Sequence, residues 1–115
     1  MARILLIGRG PMPTAETPQL GFSQLRTQAF FGALTQAGHD VRLVTLVPEA
    51  SSGRLEGWAG ITEVREEGAG WIEQTSRLAK DAELVVSAGP YNPGRLAVAI
   101  ARDRPTWIDI PGDPS

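Results

Sequence analysis

The chain has 115 residues, 42% hydrophobic and 21% charged, with a formal net charge of −2. That length supports one hydrophobic core and a single domain over 1–115, and the composition is globular rather than disordered. The absence of cysteine and the single histidine exclude disulfides, thiol catalysis, zinc–thiolate centres and multi-histidine metal sites. Slight acidity argues against nucleic acid as a partner. No apolar run approaches the ~20 residues that span a bilayer. The chain enters its first strand at Arg3 with no cleavage signal, so a cytoplasmic location is expected.

Arg3–Gly8 is the first apolar strand, and the stretch GRGPMPTAETPQLGFS from Gly8 to Ser23 leads from it into a helix. Phe22, Leu25, Ala29, Phe30, Ala33 and Leu34 recur with helical spacing and predict that helix's buried stripe. Arg26 falls near the centre of the stripe, and Phe31 points to the opposite, exposed face. Gly38 occupies the usual place of a C-cap, and Asp40–Val47 is the second strand. Pro48–Gly70 is less patterned: Ser51-Ser52-Gly53 is a turn, Leu55–Gly60 a helical turn or loop, and Ile61–Arg65 a short edge strand whose charges suit exposure. Gly70–Lys80 is predicted to be a helix, with Trp71, Ile72, Thr75, Leu78 and Ala79 on one face. Glu83–Ser87 is the next strand. Asn92 as N-cap and Pro93 at the first helical position open a helix to about Arg104, where Pro105 stops it. Thr106–Ile110 is the last strand.

Alternating strands and helices predict a Rossmann-like, doubly wound α/β fold, a mainly parallel sheet of four to five strands with helices on both faces. Ligands of such sheets bind beyond the carboxyl ends of the strands. The loops at that edge are Gly8–Gly21, Ala88–Tyr91 and Pro111–Ser115, which makes Gly10, Gly21, Arg26, Gly89, Tyr91 and Asn92 candidate binding residues. The first loop is not a dinucleotide fingerprint. Gly8-Arg9-Gly10 is followed by Pro13 where a third glycine belongs, the helix starts too late, and no acidic residue ends the second strand. No Gly-Lys-Ser/Thr follows, so it is not a P-loop. Arg26 has two readings: it snorkels or pairs with a carboxylate such as Glu16, or it contacts an anion or hydroxyl in the cleft. Asp109 and Asp113 are either turn residues or carboxylates that orient a ligand.

The stretch ARILLIGRGPMP…GFSQLRTQAFFGALTQAGHDVRLVTL resembles the start of a GT-B glycosyltransferase, particularly the retaining, nucleotide-sugar-dependent family 4-like group. The shared features are the first strand, the glycine- and proline-rich loop, a helix with an early arginine, and the turn Ala37-Gly38-His39-Asp40-Val41. The later stretch DAELVVSAGPYNPGRLAVAIARDRPTWIDIPGDP resembles the fourth strand, helix and fifth strand of that lobe; Pro48–Gly70 is unmatched.

The resemblance implies that the chain is the first part of the N-terminal, acceptor-side lobe of a two-lobe enzyme, inactive alone. Gly21 with Arg26 behind it would border the cleft. Asp109 matches the aspartate that ends the fifth strand, and Asp113 stands near where many relatives carry a histidine. His39, the only histidine, would sit at the opposite edge of the sheet. The lobe itself needs no cofactor, and a nucleotide-sugar donor is expected for the full enzyme. The implied partners are the sugar acceptor, that donor, a C-terminal lobe and a peripheral membrane contact of the full enzyme. Sugar transfer passes through an oxocarbenium-like state while negative charge grows on the leaving phosphate. A reading of a different class is a stand-alone Rossmann- or flavodoxin-like module for a small anionic ligand or nucleotide. A third is a non-catalytic interaction domain.

Overall fold

Ile4, Leu5, Leu6 and Ile7 place aliphatic side chains on both sides of one strand, which is stable only with both faces covered. The computed structural model describes residues 1–10, 22–47, 61–89 and 91–109 and puts this strand at the centre of a five-stranded sheet. The strands are β1 (Arg3–Arg9), β2 (Asp40–Val47), β3 (Ile61–Arg65), β4 (Leu84–Ser87) and β5 (Thr106–Ile108). The helices are α1 (Phe22–Gln36), α2 (Trp71–Leu78) and α3 (Asn92–Ala101). The strand order is β3-β2-β1-β4-β5 and every pair is parallel, so the domain is a Rossmann-like, doubly wound α/β fold.

The pleat divides the core in two. Leu5, Ile7, Val44, Leu46, Val64 and Val85 face α2 and α3 and pack with Leu96, Ala97 and Ile100. Ile4, Leu6, Leu43 and Val86 face α1 and pack against Phe30, Phe31 and Leu34. Alternating sides along β1 in this way is what the period of two requires of a doubly covered strand.

Helix α1 is rotated from the predicted stripe. Leu25 is 51% exposed, Ala29 and Ala33 are exposed, and the sheet-facing positions are Thr27, Phe30, Phe31 and Leu34. Phe31 therefore packs on the sheet instead of facing outward, and Arg26 sits at the rim of the packed face instead of its centre. The cause is Gly8, whose missing side chain lets β1 approach α1 so closely that an added Cβ would lie 2.3 Å from Thr27. Ile72 of α2 is likewise exposed rather than buried. The end of α1 is as expected: Gly38 takes φ +91° and the His39 amide bonds to the Leu34 carbonyl at 3.2 Å. Helix α3 ends at Ala101, short of Arg104, because Arg102 leaves helical geometry.

One charged group lies on the apolar side facing α1. Glu63 of β3 is in register with Thr45 of β2, which is in register with Gly8. The Glu63 Oε2 and Thr45 Oγ1 atoms are buried and lack a hydrogen-bond partner among the described residues. Burial raises the Glu63 carboxyl above its ordinary value. The folded state therefore holds this proton more tightly than the unfolded state. Stability is greatest below the unfolded value and falls as pH rises through the raised folded value. Glu63→Gln is expected to remove that fall. Urea titrations should show variant and parent nearly equal near pH 4, with the variant more stable at pH 8. The same difference at both pH values would refute the assignment.

Candidate functional site

Doubly wound sheets open a crevice where the strand order reverses, and here that point lies between β1 and β4. The end of β1 (Arg9, Gly10) and the end of β4 (Ala88, Gly89) form its two lips. Because the strands are parallel and the helices return antiparallel, α1 and α3 begin at this edge.

On the α1 side, Arg26 donates through Nη2 to Asp109 Oδ2, joining residues 83 positions apart in sequence. The Asp109 amide continues the ladder by bonding to the Ser87 carbonyl at 2.9 Å, which fixes the carboxylate just beyond β5. Arg26 occupies one carboxylate oxygen, and Asp109 Oδ1 remains as an acceptor among the described residues.

On the α3 side, Glu66 Oε1 accepts from Arg9 Nη2 at 2.9 Å and from Asn92 Nδ2 at 2.7 Å. The Asn92 amide also reaches Glu67 Oε1 at 3.4 Å, and its Oδ1 accepts from Arg95 Nη1 at 2.9 Å. Glu67 is held at φ +57°, a left-handed conformation that costs a non-glycine residue about 1 kcal/mol. Asn92 is thus the first residue of α3, not its cap. Tyr91 takes the N-cap position, and no side chain caps the helix.

Gly10 is buried; its amide bonds to the Leu46 carbonyl at 2.8 Å, and an added Cβ would lie 2.9 Å from Thr45 Cβ. Its carbonyl accepts from Gln24 Nε2 at 3.2 Å, which ties the lip to α1. Gly89 has open space where a side chain would stand, and its carbonyl accepts the Ser87 hydroxyl. Tyr91 is 77% exposed at the start of α3. Gly21, Glu16 and Asp113 lie outside the described residues. His39 sits at the amino-terminal edge, where its Nδ1 accepts from the Ala2 amide at 3.1 Å. Among the described residues no group of three histidine, aspartate or glutamate side chains is disposed to hold a metal ion.

Comparison with protein-family models, with curated proteins and with solved structures finds no match. Sequence reasoning missed Arg9, Glu66, Glu67 and Arg95, which share the α3 side with Asn92. A signal was present: two acids directly follow an edge strand whose carboxyl end lies at the ligand edge. Chemically, the three guanidiniums of the rim, Arg9, Arg26 and Arg95, already face carboxylates. That pairing cancels most of the field that would attract a phosphate, while leaving donors and acceptors interleaved along the edge. Such a surface suits hydroxyl groups. No described helix is long and apolar enough to cross a membrane.

Proposed function

We propose that the chain is the acceptor-side lobe of a GT-B-type glycosyltransferase, which moves a sugar from a nucleotide-sugar donor to an acceptor. The carboxyl edge of the sheet holds the acceptor's hydroxyls. The observation that carries this reading is the Arg26–Asp109 pair, since the resemblance assigns both residues to the cleft and they meet at the switch-point edge. Asp109 Oδ1 accepts an acceptor hydroxyl, Arg26 keeps that carboxylate oriented, and the Glu66–Asn92 cluster lines the opposite side. A donor-holding second lobe supplies the nucleotide-sugar, so this chain alone binds acceptor without turning it over.

The second reading, a module for a small anion or nucleotide, is favoured by the N-terminal ends of α1 and α3 at the same edge. It is weakened by the pairing of Arg9 and Arg26. Saturation-transfer NMR with methyl glycosides and with nucleoside diphosphates separates the two. Glycosides should bind in the range of about 1 mM, ordinary for a half-site, with transfer to ring protons. Nucleotide binding at the strand ends without glycoside binding would replace this reading with the second one.

A further inference from the structure

At the other end of the sheet, the C-terminal ends of α2 and α3 border an open groove of about 300 Å³ lined by Ser76, Arg77, Lys80, Arg102 and Arg104. That volume is at the lower end of small-molecule clefts, roughly 300–1,000 Å³. Four cations face it, and among the described residues none forms an ion pair. Asp81 and Asp103, adjacent in sequence, are exposed and pair with none of the four.

Cations at helix C-termini ordinarily complement the helix dipole. Here other groups already meet that need. Arg42 Nη1 donates to the Leu78 carbonyl at 3.1 Å. Arg104 donates through Nε to Ala82 O at 2.9 Å, through Nη2 to Lys80 O at 3.1 Å and through Nη1 to Ile100 O at 3.4 Å. Arg104 is thereby immobilised, with two of its five N–H groups uncommitted. Arg77, Lys80 and Arg102 exceed what the helix ends require.

Arg102 also stands where a glycine would cost less. It takes φ 51° and ψ −118°, and the Arg104 amide bonds to the Ala101 carbonyl at 2.9 Å, closing a tight turn. These angles are those of the first central residue of a type II′ turn, a position that favours glycine. An arginine there sets a cationic side chain beside the groove at the expense of backbone strain.

We propose that this groove is a second binding site, for a free phosphate-bearing anion with more than one charge, such as a pyrophosphate group. Arg104 is its fixed donor, and Arg77, Lys80 and Arg102 close on the remaining oxygens by charge-assisted hydrogen bonds. The inference goes beyond the acceptor reading and does not rest on it, since the two sites lie at opposite ends of the sheet.

The test is an NMR titration of the full chain with inorganic pyrophosphate at low ionic strength. Saturable binding is expected with Kd of about 1 mM or tighter, weakening with added salt. The amide shifts should centre on Ser76–Lys80 and Arg102–Arg104. Arg102→Gly should weaken binding about tenfold while leaving the melting temperature equal or higher, because it relieves the turn. Arg77→Ala, at an exposed position, should weaken it similarly. No saturation, shifts centred on Gly10, Arg26 and Asn92, or unchanged affinity in both variants would each overturn the proposal. Phosphatidylserine vesicles provide the second arm. Vesicle binding should be weak and displaced by pyrophosphate, and vesicle binding that persists under saturating pyrophosphate would also overturn it.

Discussion

Gly8→Ala is expected to destabilise the fold by ~3 kcal/mol, the upper range for forcing atoms into a packed core. The new methyl would lie 2.3 Å from both Thr27 Cγ2 and Thr27 Oγ1 and 2.8 Å from Thr27 Cβ. Thr27 is fully buried, so it has no rotamer that swings into solvent. Relief requires α1 to lift from β1, which would disturb the contacts of Phe30, Phe31 and Leu34 with Leu6 and Leu43. Gly8 is not among the residues with positive φ, so the effect is steric and not a loss of backbone freedom. At an unstrained site, the same substitution would stabilise by a few tenths to 1 kcal/mol through the unfolded chain. Urea unfolding measures the difference, and the melting temperature should fall by roughly 10 °C. Adding Thr27→Ala should recover part of the loss, since it removes the two nearest atoms and leaves Cβ. A loss below about 1 kcal/mol would show that the helix is not held this closely.

The same contact explains where the sequence was legible and where it was not. Continuous aliphatic runs in β1 and β2 mark strands covered on both faces, and Ile61–Arg65 was readable as an edge strand from its length and charges. The rotation of α1 was not readable. Its small residues and scattered leucines allow several apolar stripes, and the choice among them is made by Gly8, a residue of a different element. Thr27, polar by type, is buried because a strand glycine leaves room for it. Leu25 and Ala29, apolar by type, are left outside.

The site divides along the same line. The topology rule located the edge, and the candidates Arg26, Gly89, Tyr91, Asn92 and Asp109 all lie along it. Which of them meet was not legible, because side chains 83 positions apart are joined by the sheet and not by local spacing. The α3-side cluster was hidden for a related reason: Glu66 and Glu67 follow a short edge strand in a weakly patterned region. Their partner Asn92 carried a stronger local reading as a helix cap, but it lies one residue inside the helix, where its Oδ1 accepts from Arg95 and its Nδ2 donates to the carboxylates.

Asp109→Ala is expected to destabilise by about 2 kcal/mol. Removing one partner of a fully buried pair costs about 3–5 kcal/mol, and exposed pairs contribute less than about 1 kcal/mol. The Arg26 and Asp109 side chains are 30% and 17% exposed, which places the pair between these limits. The loss comes from removing the carboxylate that faces the part-buried Arg26 guanidinium. Replacing both residues with apolar groups of similar length, as Arg26→Met with Asp109→Leu, should therefore restore most of the stability. A double-mutant cycle from urea unfolding reads the coupling directly.

Glycoside binding should follow a different course in the same variants. It should be lost in Asp109→Ala, and it should stay lost in the restored double variant. A double variant that is stable and still binds glycosides would remove Asp109 from the acceptor site and leave the pair as a fold element alone. Stability regained while binding stays lost is what the proposed role requires. Methionine and leucine fill the space over the β4–β5 end but offer a hydroxyl neither a charge-assisted acceptor nor a donor to orient one.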